Sequence, residues 1–238
     1  MIIFLITVYS VYSYGQKKII HTHSIPSKIS IDGKLNEESW LSAETASDFV
    51  MYQPDNGKPI NDSKHTIVKV LYDNDAVYIA AVMNDDDPSK IKKEITNRDN
   101  FGVSDYFSVF INGFNDGQQD FRFYVTASGV QLDCIATEDY KDFSWDAIWD
   151  SKAVITETGW TVEIKIPYAA IRFPNSSKQI WGINFLRNIE RDIQIYSWNL
   201  IDTKIEASLT QNGIVEGIEN IKTPTRLFFI PYASFYNQ

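Results

Sequence analysis

The chain contains a single cysteine, Cys134, so it cannot staple itself with an internal disulfide, and no CxxC pair is available to hold a metal. Histidine is nearly as scarce: His21, His23 and His65 are the only three, all in the first third of the 238 residues. That leaves little from which to build a Ser-His-Asp or Cys-His centre. H-E-x-x-H and phosphate-loop motifs are missing as well. Positive charge is short: 22 Lys and Arg against 31 Asp and Glu give a net charge of -9, with no basic run. This balance argues against nucleic acid, whose phosphates call for basic patches. Helical periodicity is confined to Glu37–Ala43 and Pro88–Thr96. Aromatic residues, by contrast, are plentiful, with 14 Phe, 13 Tyr and 6 Trp, which suits both a β-rich fold and a ring-stacking surface.

The uncharged run Met1–Gly15 is too short to span a bilayer and reads as a secretory signal peptide, although no Lys or Arg follows Met1. Ser13 and Gly15 are the small residues before a cut at Gln16, and no Cys stands there for lipidation. Export is therefore expected, to the periplasm, cell surface or medium. Residues 16–28 read as a polar tether. From residue 29 to 222, short β-branched and aromatic runs are punctuated by turn residues. His65–Tyr72 and Ala76–Met83 flank Asp73-Asn74-Asp75 as a hairpin. Asp105–Ile111, Phe121–Thr126, Val130–Ala136, Trp160–Ile166 and Trp181–Arg187 follow, with a helical turn expected in Tyr168–Phe173. This pattern predicts an all-β fold, an antiparallel, jelly-roll-like β-sandwich with short helical turns. Expected core residues are Trp40, Val70, Val109, Phe123, Val162, Ile164 and Phe185. Near the start, Asn36 is the expected N-cap of a short helix, with Leu35 and Trp40 spaced as a hydrophobic staple. Residues 223–238, with the aromatic run Arg226–Tyr236, read as the start of a following β-rich region.

Four features are candidates for function. Asp85, Asp87, Asp116 and Asp120 lie in acidic loops, where a structural Ca²⁺ is a candidate ligand and a solvated loop the alternative. Trp145, Trp149 and Trp198 stand outside clean strands and are candidates for stacking on sugar rings, against packing at the core edge. Arg122 alternates away from Phe121, Phe123 and Val125, so it is available to ligand or to a cross-strand pair with Asp133. Cys134 shares a strand face with Leu132 and Val130 and reads as a small buried hydrophobe.

The run Ile31-Asp-Gly-Lys-Leu-Asn-Glu-Glu-Ser-Trp-Leu-Ser-Ala43 resembles the opening of family 9 carbohydrate-binding modules. Val70–Asp73 with Val77–Ala81, Asp105–Asn112, Gly159-Trp160 with Glu163 and Ile166-Pro167, and Trp181–Arg187 resemble later motifs of that family in the same order, across Ile25–Ile221. Ile171–Pro174 and Arg187–Arg191 are similar to one group of exported Bacteroidetes proteins, in which the module precedes a β-rich, outer-membrane-associated region (DUF5916). The resemblance implies a non-catalytic module that binds poly- or oligosaccharide. Its alternatives are a structural domain that has lost sugar binding and an accessory fragment of a glycoside hydrolase. The family's sugar clamp of two Trp rings is not matched: Gly102 stands at one position, beside Phe101, and Thr203–Leu209 has no aromatic at the other. Ser108 and Leu186 replace polar contacts, while Arg122 is retained, so Phe101, Arg122 and the three tryptophans form the expected ligand set.

Overall fold

A computed structural model describes residues 17–223, and the expected signal peptide and the run Arg226–Tyr236 lie outside the described residues. Fourteen strands run through the described part: β1 (Ile19–His21), β2 (Thr45–Ala46), β3 (Val50–Gln53), β4 (Thr66–Tyr72), β5 (Ala76–Asn84), β6 (Tyr106–Asn112), β7 (Asp120–Thr126), β8 (Gln131–Ala136), β9 (Lys141–Asp142), β10 (Asp150–Thr156), β11 (Gly159–Pro167), β12 (Lys178–Ile189), β13 (Gln194–Ser197) and β14 (Gly213–Glu219). The larger sheet runs β1-β14-β12-β6-β7-β8-β9, with β13 and β3 continuing beside the far end of β12. The smaller runs β10-β11-β5-β4-β2. Pairing is antiparallel in every ladder except β1 with β14. Among the described residues helix is limited to the five residues of α1 (Glu38–Ser42) and short 3-10 turns. The fold is the expected all-β sandwich.

Period-two alternation builds the core. Phe107, Val109 and Ile111 of β6 and Phe121, Phe123 and Val125 of β7 face Val68, Val70, Ile79, Ala81, Val162 and Ile164 of the smaller sheet, all buried. Fully burying each such side chain stabilises the fold by about 1.5–3 kcal/mol. Of the expected core residues, Trp40 alone belongs elsewhere: it is buried with Ile25, Ile29 and Tyr78 in a second cluster, on the outer side of the smaller sheet.

That cluster is closed by a lid around Glu163. The Glu163 carboxylate accepts the Trp40 indole N–H at 3.0 Å and the amides of Asp32 and Gly33 at 3.0 and 2.8 Å. Gly33 turns at φ +80°, where a side chain is strained and a Cβ would meet Val154 at 2.5 Å. The N-cap of α1 is Glu37 and not Asn36, and it makes no side-chain cap bond. The Glu37 side chain instead reaches back to the amide of Ser30 at 3.2 Å.

Other departures follow from pairing at long range. Ile19–His21, inside the expected tether, is a strand parallel to β14, with Ile20 buried and the Thr22 hydroxyl donating to the Val70 carbonyl at 2.7 Å. The helix expected in Pro88–Thr96 is only a 3-10 turn, Pro88–Lys90. Pro88 suits a first helical turn, but Lys93 is already bridged to Ser104 in extended form.

Asp105, just before β6, is buried: one carboxyl oxygen accepts the Glu190 amide at 3.1 Å and the other has no partner among the described residues. Burial pushes its pKa up to about 6. The folded state therefore holds this proton more tightly than the unfolded chain. The stabilisation is full below the unfolded pKa and is lost as pH rises through about 6. Asp105→Asn should flatten the melting temperature between acid and neutral pH relative to the parent. A parent-like slope in that variant would move the effect to another group.

A groove on the outer face of the larger sheet

The residues of β6, β7, β8 and β12 that do not face the core form a second apolar surface. Phe110, Tyr124, Leu132, Cys134 and Leu186 are buried together there, with Phe101, Tyr106, Phe143 and Ile195 partly buried against them. Register explains the grouping: Phe110 lies opposite Arg122, Arg122 opposite Cys134, and Ser108 between Tyr124 and Leu186. Tyr52 from β3, Phe101 from the loop before β6, Phe143 after β9 and Ser208 from a later loop raise walls around this floor. The result is a groove of about 400 Å³.

Tyr124 is the hub of its rings, with Phe101, Tyr106, Phe110 and Phe143 around it; Phe101 packs on three of these rings. The Phe101 centroid lies 4.9 Å from Tyr106 and 5.2 and 6.2 Å from Tyr124 and Phe143, the last two edge-on. Arg122 lies over the Phe110 ring with its guanidinium carbon 4.0 Å from the centroid. Its Nε and Nη2 donate to one oxygen of Asp120 at 3.3 and 3.0 Å, and Asn212 donates to the other at 2.9 Å. Asp120 and Arg122 are two apart on one strand, so they share a face. Burial raises the Asp120 pKa and the guanidinium opposes that rise. The third nitrogen of Arg122, Nη1, makes no hydrogen bond among the described residues. Burial pushes the Cys134 thiol up to about 11, so it stays protonated and unreactive at neutral pH.

Of the expected ligand set, only Phe101 and Arg122 line this groove. The Trp149 indole N–H donates to Asp133 at 2.8 Å, and its ring packs 5.3 Å from Phe123 in the core. Trp145 packs on Phe121 and Phe123 at 5.3 and 6.0 Å, also on the core side. Trp198 is buried against Phe185 at 5.5 Å, where Gly213 makes room for its ring. The core takes Trp149 and Trp198, and Trp145 packs partly buried against its edge. Asp133, considered above as a partner of Arg122, sits on the core face as well. It takes Arg98, the Trp149 indole and the Ala147 amide, fixing the loop that carries Phe143.

Sequence reasoning missed Tyr52, Tyr106, Phe110, Tyr124, Lys141 and Phe143. The usable signal was β6 and β7, where aromatic residues occupy both alternating faces. A strand apolar on one face only would have left the outer side polar.

The four acidic-loop carboxylates do not converge. Asp85 holds Arg191 at 2.9 Å, and Asp87 holds Ser89 and Lys90 at 2.5 and 2.9 Å. Asp116 accepts from Asn112 and the Gln118 amide at 3.3 and 3.0 Å, while Asp120 is taken by Arg122 and Asn212. Among the described residues no group of three or more His, Cys, Asp or Glu side chains is placed to hold a metal ion. The expected calcium ligands therefore do not form one site.

Comparison with known proteins places this architecture. A family 9 carbohydrate-binding module from Caldicellulosiruptor kristjanssonii, solved with cellotriose, superposes with a TM-score of 0.59 at 15% identity over 91% of this chain and 100% of that one. The corresponding glucose complex gives 0.59 at 14% identity over 87% and 100%. A Bacteroides uniformis protein named as a candidate carbohydrate binder gives 0.67 at 10% identity over 85% and 100%. No curated protein matches the chain. The profile of the family described as carbohydrate family 9 binding domain-like matches residues 31–202, and the chain belongs to that family.

Proposed function

We propose that this chain is a non-catalytic carbohydrate-binding module of an exported bacterial protein, and that it holds a poly- or oligosaccharide in the groove described above. The observation that carries this reading is the groove itself. It offers partly exposed rings at Phe101 and Phe143, able to stack on the C–H face of a sugar, beside a guanidinium whose Nη1 is free to meet hydroxyls. Similar folds hold cellotriose and glucose, which supports the same ligand class. The groove lining contains no Asp or Glu, whereas hydrolysis of a glycosidic bond uses two carboxylates, and this favours binding over catalysis. Export rests on the uncharged run Met1–Gly15.

A second reading, a periplasmic or surface domain of an outer-membrane protein that keeps the fold without the ligand, is favoured by one observation: none of the six tryptophans lines the groove. Titration with gluco-oligosaccharides separates the two. Arg122→Lys keeps a cation for the buried Asp120 but loses the planar fork, and should weaken sugar binding by about 1–2 kcal/mol. Phe101→Ala should weaken it by about 1 kcal/mol through lost stacking. Arg122→Ala is a poorer probe, because it strands a buried carboxylate and destabilises the fold. Sugar affinity unmoved by both informative changes would put the site elsewhere. Absence of sugar binding in the parent would leave the structural reading.

A further inference from the structure

The charges in the groove are out of keeping with the rest of the chain. The protein carries a net charge of -9, yet the charged residues lining the groove are two cations, Arg122 and Lys141. Two carboxylates lie close behind the lining, and both are committed. Asp120 is fully buried and bound by Arg122 and Asn212. Glu138 accepts the amides of Ser208 and Leu209 at 2.9 and 3.2 Å.

Lys141 is different. It stands on β9 opposite Ala136, which itself lies opposite Asp120, so it shares the outer face with Cys134 and Arg122. Its ammonium group makes no ion pair or hydrogen bond among the described residues. Desolvation of the ammonium group and the neighbouring guanidinium lower its pKa, the behaviour of a cation that lacks a counter-ion. Arg122 is balanced by Asp120, so Lys141 is the uncompensated charge of the groove.

We infer that the groove selects an anionic sugar, a pyranose carrying a carboxylate or a sulfate ester, whose anion pairs with Lys141 while the ring rests against Phe101 and Phe143. This rests on the carbohydrate-binding reading and narrows its ligand class. A neutral sugar would leave Lys141 without a counter-ion. An anion there would supply one without displacing Asp120, and Lys141 is an exposed residue of the groove lining, which leaves an approach open.

Titration calorimetry on the full chain with three probes tests it: cellotriose, a counterpart ending in glucuronate, and a 6-sulfated counterpart. At low salt, at least one anionic probe should bind about fivefold or more tightly than cellotriose, what a single ion pair supplies. That margin should shrink as salt is raised. The two anionic arms identify the anion. Lys141→Gln, checked for an unchanged melting temperature, should bring the anionic and neutral affinities together. Cellotriose binding as tightly as both anionic probes, or a preference that survives Lys141→Gln, overturns the inference and leaves carbohydrate binding standing. No binding of any probe removes both.

Discussion

Arg187→Ala should destabilise the protein by about 3–5 kcal/mol, the cost of breaking up a buried, hydrogen-bonded charge. Arg187 has no exposed surface and lies on the core face of β12, opposite Phe107. From there it crosses to the smaller sheet. Nη1 donates to the Lys64 carbonyl at 2.7 Å and the Thr66 hydroxyl at 3.0 Å, and Nη2 to the Asn84 carbonyl at 2.7 Å. Asp85, at 3.8 Å, supplies the nearest opposite charge. Burial lowers the Arg187 pKa to about 10, so it remains a cation at neutral pH. Removing it takes a donor from the Lys64 and Asn84 carbonyls and leaves Arg191 as the cation on Asp85. In a domain of this size the melting temperature should fall by about 10 °C. Arg187→Met keeps most of the volume without the donors and should fall nearly as far. A loss below about 1 kcal/mol in both variants would mean that the two sheets do not depend on this side chain.

Glu163→Ala should cost about 2–5 kcal/mol, because it leaves two buried donors without an acceptor at about 1–3 kcal/mol each. These are the Trp40 indole and the Gly33 amide, while the half-buried Asp32 amide keeps the Ser30 carbonyl, so the loss falls on the lid over the smaller sheet. Burial raises the Glu163 pKa, but the three donors favour its ionised form. Trp40→Phe keeps a ring and removes one donor, at about 1 kcal/mol. The pair should couple: once Glu163 is gone, the Trp40→Phe change costs nearly nothing more in hydrogen bonding. Additive losses in chemical denaturation would show that the lid is held by packing in the Ile25, Ile29 and Tyr78 cluster and not by the carboxylate.

Much of this was legible because the signals are local. The Asp73–Asp75 turn between two apolar runs became the β4–β5 hairpin, and the alternation from Trp160 to Ile166 became β11, buried on one face. The lid's short helix and buried Trp were readable as well; the cap shifted from Asn36 to Glu37, whose side chain bonds the Ser30 amide. What failed depends on partners far away in sequence. Nothing in Ile19–His21 announces a parallel partner at Ile214–Glu216. Arg122 was considered with Asp133, but Asp133 lies opposite Phe123 and therefore on the other face. A one-residue difference in register exchanges the two faces of a strand. The two readings of the tryptophans, ring stacking or packing at the core edge, stayed open for a related reason: their position beside strands does not reveal whether the chain folds them inward or onto the rim.

The central claim is that sugar binds in the groove on the outer face of the larger sheet. Its most direct test is an NMR titration of the full chain with cellotriose and the anionic probes, following aromatic and amide signals. Saturable shifts should appear at Tyr52, Phe101, Tyr124, Lys141 and Phe143, while the indole N–H signals of Trp145, Trp149 and Trp198 stay in place. Shifts centred on those indoles, or no saturable shift with any of the sugars, would contradict it.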